Sequence, residues 1–430
     1  MRRALTDRQI VQELQKCIDT TRYGIGLTTL LKVRKTMGLQ CTRQQRHTVE
    51  TIRDAMLDLR ATHPNAGARE MVSLLYHEWE MSVARRVVTE YFALYEPELV
   101  CQRRFWAAGV NDLFAVDQHD KWLRFSLGLH TGIEPFSGRI MWIRVWNSNR
   151  NLQLILSYYL NTIEALGHMP MVTQSDLGSE NYGIANAHTV LRQYHDKALH
   201  GTLQHCWMRT KKNVMPEIAW SQLHQRFTPG FENLLDHGVN SGWYDSNNTL
   251  QVMVFHWVFI PWLQQELDAY QDHINNTAKR CDRNKILPHG VPNLIYHSAE
   301  DFGALDFKIQ IEPEALDFVR SLYIKPSHCV FDLVPEGFGK CIQHCYNDLG
   351  RPVITRQSVW DMYQLLLDAL QLADELPGEI QLQDDEDEDF VPLLDDHQDL
   401  PSREDSNGAY YMGGVGGGLG LGLSSPILTV

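Results

Sequence analysis

Three apolar runs follow one another between residues 112 and 148: DLFAVDQHDKW, LRFSLGLHTGIEP and GRIMWIRVWNS. Each partly alternates apolar with polar residues, and turn residues separate them. That pattern predicts three consecutive strands joined by short connections. NLQLILSYYLNTIEALGH then reads as an amphipathic helix ending at Gly167, MPMVTQSD as a short strand, and NYGIANAHTVLRQYHD as a second helix. Meandering strands, helix, strand and helix make an α/β layer with a mixed sheet. No other stretch of the chain restricts the fold as much.

The flanks differ in character. Residues 1–105 read as helical, and GAREMVSLLYHEWEMSVARRVVTEYFALYEP suggests a helix-turn-helix with a turn near Glu80–Met81. Arg85 and Arg86 fall in the first turns of its second helix, where a recognition helix meets DNA; the plainer reading is a helical hairpin used for packing. Residues 301–378 are expected to be mostly helical, and 379–430 a disordered acidic and Gly-rich tail. LQVMVFHWVFIPWLQQELDAYQDHIN reads as a buried core helix kinked at Pro261. A length of 430 residues, 43% of them hydrophobic, supports two or three domains. No apolar run is long enough for a transmembrane helix, and the N-terminus lacks the marks of a secretory signal. Eight scattered cysteines suit free thiols in a reducing compartment.

The net charge of −14 argues against a nucleic-acid partner only until its distribution is read. Residues 1–110 hold 17 Lys/Arg against 12 Asp/Glu, whereas 311–430 hold 6 against 22. The acidity belongs largely to the C-terminal part, and a mildly basic N-terminal segment can meet phosphates.

Two strands end in an aspartate followed by polar residues: Asp117 in FAVDQHDKW and Asp176 in MVTQSDLGSEN. If the two strands are neighbours, the carboxylates converge and repel, and a cation is needed to keep both ionised. All-oxygen ligands choose Mg²⁺ or Mn²⁺. A third carboxylate from a nearby helix would complete a two-metal site for phosphoryl transfer. Glu217 in KKNVMPEIAW is such a residue. Asn213 reads as the N-cap of its helix, Pro216 falls at the third helical position, and Trp220 is placed to anchor the helix to the sheet. Asp120, Glu180 and Asp196 compete as ligands, with Glu180 read as capping or orienting the following helix. The plainer reading of each carboxylate is a cap or a surface charge. Cys329, Cys341, Cys345, His328 and His344 are too loosely spaced for zinc. No Gly-rich loop ends in the Lys-Ser/Thr of a nucleotide-binding loop, so no nucleotide cofactor is expected.

VDQHDKW, TQSDLGSEN and KKNVMPEIAW together resemble the catalytic core of retroviral integrases and related DDE transposases, over roughly 110–300. Within that superfamily they look closest to integrase core domain proteins of eukaryotic, particularly fungal, mobile elements. The resemblance implies an RNase H-like mixed five-stranded sheet flanked by helices. It implies Asp117, Asp176 and Glu217 as ligands of two Mg²⁺ or Mn²⁺ ions, acting in phosphodiester cleavage and joining of DNA. Lys121, Lys211 and Lys212 become phosphate contacts, or else a solvated face. A homo-oligomer and a nuclear location follow from the same resemblance. Met215–Pro216 stand where close relatives carry Arg-Ile, and Asp120 where a histidine or similar polar residue is expected. Neither a His-His-Cys-Cys module nor a basic C-terminal domain is visible. Two alternatives stay open: a domesticated or decayed DNA-binding descendant without activity, and a nuclease of RNA–DNA hybrids.

Overall fold

The computed structural model describes residues 7–18, 24–37, 45–63, 66–96, 104–208, 213–279, 287–372, 392–394, 396–401, 403–404 and 409–420. The chain divides into two compact units, Met1–Gln102 and Arg103–Val430.

The first unit is helical: α1 (Asp7–Cys17), α2 (Leu27–Thr36), α3 (Val49–Thr62), α4 (Ala68–Trp79) and α5 (Arg85–Tyr95). Apolar residues at helical spacing on α3, α4 and α5 bury one another, among them Ile52, Met56, Met71, Leu75, Val88 and Tyr91. Glu80 ends α4 in the left-handed conformation, and the Gln45 side chain accepts from the Ser82 amide at 2.6 Å. The second helix starts at Arg85 and not near Ser82, because residues 81–84 form a non-helical connection that reaches Ala84 in extended conformation.

The second unit is built on a five-stranded sheet of β1 (Leu113–His119), β2 (Gly128–Glu134), β3 (Arg139–Trp146), β4 (Val172–Asp176) and β5 (His205–Met208), in the order β3-β2-β1-β4-β5. β1, β2 and β3 are antiparallel neighbours, whereas β4 joins β1, and β5 joins β4, in parallel. One face is covered by α6 (Leu152–Leu166), α7 (Tyr182–His195) and, further on, α12 (Pro313–Tyr323). Phe114, Trp142, Ile155, Tyr159 and Leu191 fill that layer. Asn151 caps α6 by accepting from the amides of Gln153 and Leu154, and Gly167 closes it at φ 70°.

The other face is covered by α8 (Val214–Arg226), α9 (Thr228–Asn240) and α10 (Thr249–Asn276), whereas α11 (Pro292–His297) buries Ile295 and Tyr296 in the cluster of the first layer. The 28-residue α10 runs through Pro261 as one helix. Its Phe255 and Phe259, before the proline, and Leu263 and Leu267, after it, are buried in one cluster. Among the described residues no helix is long and apolar enough to cross a membrane. α13 (Glu336–Asp348) and α14 (Val359–Leu372) pack into the same cluster. The Trp360 ring lies 4.6 Å from that of Phe259, and its Nε1 donates to the Leu234 carbonyl at 2.9 Å. The helices past residue 301 therefore share the core of the sheet domain.

The Gly-rich segment corrects an expectation. The acidic run at 384–389 and residues 421–430 lie outside the described residues, but 409–420 is ordered structure, not a disordered tail. Ala409–Tyr411 pairs in parallel with Arg104–Trp106 and antiparallel with Arg403–Glu404. Tyr410 and Tyr411 are both 1% exposed. Tyr411 Oη donates to Asp112 Oδ1 at 2.8 Å, which also accepts from the amides of Gly414 and Val415, while Oδ2 accepts from the Ala108 amide. Burial nevertheless pushes the Asp112 carboxyl up to about 6 against these donors. The glycines are there for close approach: a Cβ at Gly413 would stand 2.2 Å from Asp112 Oδ2, and one at Gly414 2.8 Å from Val172. Composition alone hides this, because a tract of glycines also suits a flexible chain.

Replacing Tyr411 by Phe leaves Asp112 Oδ1 without its hydroxyl donor, and the Val415 amide loses the 2.7 Å bond it gives to the Tyr411 hydroxyl. The expected cost is about 1–3 kcal/mol, read as a lower midpoint in denaturant. An unchanged midpoint would mean that the segment stands outside the cooperative unit.

Candidate active site

The parallel ladder of β1 and β4 pairs Leu113 with Val172, Phe114 with Thr173 and Ala115 with Gln174. Carrying that register forward sets Asp117 level with Asp176, on the same face at the ends of neighbouring strands. Glu217 arrives from the first turn of α8. The three charges interact. Burial and then the charge of Asp176, with a smaller contribution from Glu217, push the Asp117 carboxyl up to about 7. Burial, then Glu217 and Glu180, also raise Asp176.

Trp220 orients the first aspartate. Its indole Nε1 donates to Asp117 Oδ2 at 2.9 Å, and its ring stacks on His119 at 4.8 Å. Burial, with Lys121 adding to it, lowers His119 to about 4, so the stacked imidazole is neutral at pH 7. Trp220 thus anchors α8 to β1 through the site carboxylate itself.

Asn213 departs from the role read in the sequence. It stands at the N-cap position, but its side chain accepts no hydrogen bond from α8. Instead Nδ2 donates to the Val116 carbonyl at 3.0 Å, and Oδ1 accepts from Gln174 Nε2 at 3.1 Å. The fully buried amide therefore ties β1, β4 and the start of α8 together. β1 and β4 offer it a carbonyl and an amide donor to satisfy, which the helix alone would not. Pro216 is buried in the first turn, where its missing N–H costs no helical bond. Met215 packs against the core layer under α6 and α7.

The other candidates lie apart from this trio or beside it. Asp120 is exposed and accepts from Asn149 Nδ2 at 2.8 Å. Asp196 accepts from the Ala198 amide at 2.9 Å, capping a short turn after α7. Glu180 does not cap α7; its carboxylate reaches back to β1 and accepts from Gln118 Nε2. Lys121 is exposed just past β1. Lys211 and Lys212 lie outside the described residues. Arg85 and Arg86 are exposed in the first turn of α5, in the helical unit. Gln118, Glu180 and His119 were not assigned these roles from the sequence. The one available signal was Gly178, two residues before Glu180, whose purpose shows only in three dimensions.

The donor set suits a hard divalent cation, being carboxylate oxygens whose mutual repulsion a cation would relieve. Among the described residues, no three His, Cys, Asp or Glu side chains stand close enough to hold one ion. The fit is one of chemistry, with the carboxylates gathered but not closed on a point.

Folded Asp117 keeps its proton up to about pH 7, whereas an unfolded Asp loses it near about 3.9. Ionisation therefore favours unfolding: the metal-free fold loses stability as pH rises from about 4 to about 7, and the deficit is level above that. Asp117→Asn stays neutral, keeps an acceptor for Trp220 and removes the deficit. In thermal unfolding without divalent metal, the variant should exceed the wild type at pH 8 by at most about 4 kcal/mol, with the gain vanishing near pH 4. A gain of equal size at every pH would contradict the assignment of the raised carboxyl.

Residues 105–317 match the family model described as integrase core domain. No curated protein matches the chain. The matched stretch holds the whole sheet, α6 to α11 and the carboxylate trio. Residues 105–317 are thus an integrase core domain on an RNase H-like fold, and that domain supports an integrase- or transposase-like function in general.

Proposed function

We propose that the chain is a DNA strand-transfer enzyme in which Asp117, Asp176 and Glu217 form a divalent-metal site for phosphodiester cleavage and joining. The observation that carries this reading is the level placement of Asp117 and Asp176 on neighbouring parallel strands, with the Glu217 charge beside both. Asp117, Asp176 and Glu217 would hold two Mg²⁺ or Mn²⁺ ions, which when bound would supply Lewis-acid activation of a hydroxyl nucleophile and neutralise charge at the scissile phosphodiester. The chain's own residues supply position. Trp220 holds Asp117, Asn213 joins the two aspartate-bearing strands, and Lys121 offers an exposed ammonium beside them for phosphate. In the helical unit, the DNA contacts of this reading are Arg85 and Arg86, exposed in the first turn of α5, the position from which a recognition helix meets DNA. A homo-oligomer and a nuclear location accompany a genomic DNA substrate.

Two observations favour a second reading, a DNA-binding descendant without turnover. The carboxylates do not close on one point among the described residues, and Met215–Pro216 precede Glu217. Purified protein on labelled oligonucleotide ends separates the two. Joining in Mn²⁺ and none in EDTA, lost by about 10²–10³-fold or more in Asp176→Asn and in Glu217→Gln, supports strand transfer. DNA binding without cleavage selects the inactive descendant, and cleavage confined to RNA–DNA hybrids selects neither. Trp220→Phe keeps the ring against His119 but removes the N–H to Asp117. It should cost about 10–100-fold in rate or metal affinity, and an unaffected variant would remove Trp220 from the site.

A further inference from the structure

The ladder between β1 and β4 stops at Ala115 and Gln174, two residues short of each aspartate. Backbone pairing of these strands does not fix the separation of Asp117 from Asp176. Asn213 ties the strands just before the aspartates, at Val116 and Gln174. A second tie lies just after them. Successive side chains alternate faces, so Gln118 points away from the face of Asp117 and Trp220. There its Nε2 donates to Glu180 Oε1, which also accepts from Asn181 Nδ2 at 3.4 Å.

Glu180 sits in the short turn Ser179–Asn181 that follows β4, and its carboxylate folds back over Gly178. A Cβ at residue 178 would stand 2.0 Å from Glu180 Oε1. Gly178 is ordinary extended backbone at φ −154°, so what it gives is space and not conformational freedom: a Cβ there would make the Glu180 carboxylate shift from its place. The Asp-x-Gly-x-Glu spacing of DLGSE thereby acquires a physical reason.

We infer that Glu180 is a positioning residue: by accepting from Gln118 it clasps the turn behind Asp176 to the residue behind Asp117, and so sets the distance between the two aspartates. This rests on the carboxylate site proposed above. The clasp needs an acceptor, not a charge. Glu180→Gln retains a carbonyl oxygen for Gln118, whereas Glu180→Ala and Gln118→Ala each remove the bond.

The test uses the full-length chain and two readouts. In calorimetric titration with Mn²⁺, Glu180→Ala and Gln118→Ala should each weaken affinity about 10–100-fold. The double variant should be no worse than either single one, and Glu180→Gln should behave as wild type. In metal-free hydrogen exchange, the alanine variants should speed exchange at residues 117–120 and 177–180, with Glu180→Gln again protected. Damage by Glu180→Gln equal to that by Glu180→Ala would overturn the clasp, since charge would then be what matters. So would alanine variants that match wild type in both readouts. Wild-type protein that binds no Mn²⁺ would sink the proposed function alone, and exchange would still decide the clasp.

Discussion

The parallel pairing of β1 with β4 is the contact on which everything near the site depends. It lies at the centre of the sheet and converts two aspartates 59 positions apart in sequence, 117 and 176, into neighbours on one face. The antiparallel meander supplies β1 with a rigid second neighbour, and the crossover through α6 brings β4 to its other edge. α8 then has to reach this edge, and it does so through side chains. Asn213 engages a β1 carbonyl and a β4 amide, and Trp220 engages Asp117. Register sets the two aspartates level on one face, and side-chain ties beyond the ladder hold the strand ends that carry them.

That arrangement has an electrostatic cost. Like charges gathered in a partly buried place raise one another's proton affinity, and Asp117 shows it most. The surroundings offset only part of this, through the Trp220 N–H and the Gln118 amide. A divalent cation would relieve the remaining strain, and without one the carboxylates make this place less stable than a surface of neutral residues would be. Neighbouring groups are accordingly tied down: the carboxylate of Glu180 to Gln118, and the ring of His119 to Trp220.

Far from the carboxylates, the C-terminal segment closes the domain at the starts of the same strands. Asp112 opens β1, and its carboxylate takes donors from Ala108, Tyr411, Gly414 and Val415. Cys206 on β5 donates its thiol to the Met412 carbonyl. Residues about 300 positions apart are thereby joined in one buried network, and the segment belongs to the fold and not to a tail.

What the sequence determined by itself was whatever has local periodicity or a local motif. Alternation marked the meander strands, helical spacing marked α6, α7 and α10, and three short motifs marked Asp117, Asp176 and Glu217 as candidates. Strand β5, only four residues long, has too few positions to show a period. Asn213 illustrates the limit well: the residue before a helix reads as a cap, but two strands distant in sequence offered it partners that the helix could not match. Glu180 likewise read as a helix-capping group, because nothing local says that Gln118 will stand within reach. The glycines at 413 and 414 read as flexibility, since close approach to Asp112 and Val172 is invisible until those residues are in place. Tertiary structure alone decided these cases, because a side chain's hydrogen-bond partner and the space around a glycine are set by residues far away in the chain.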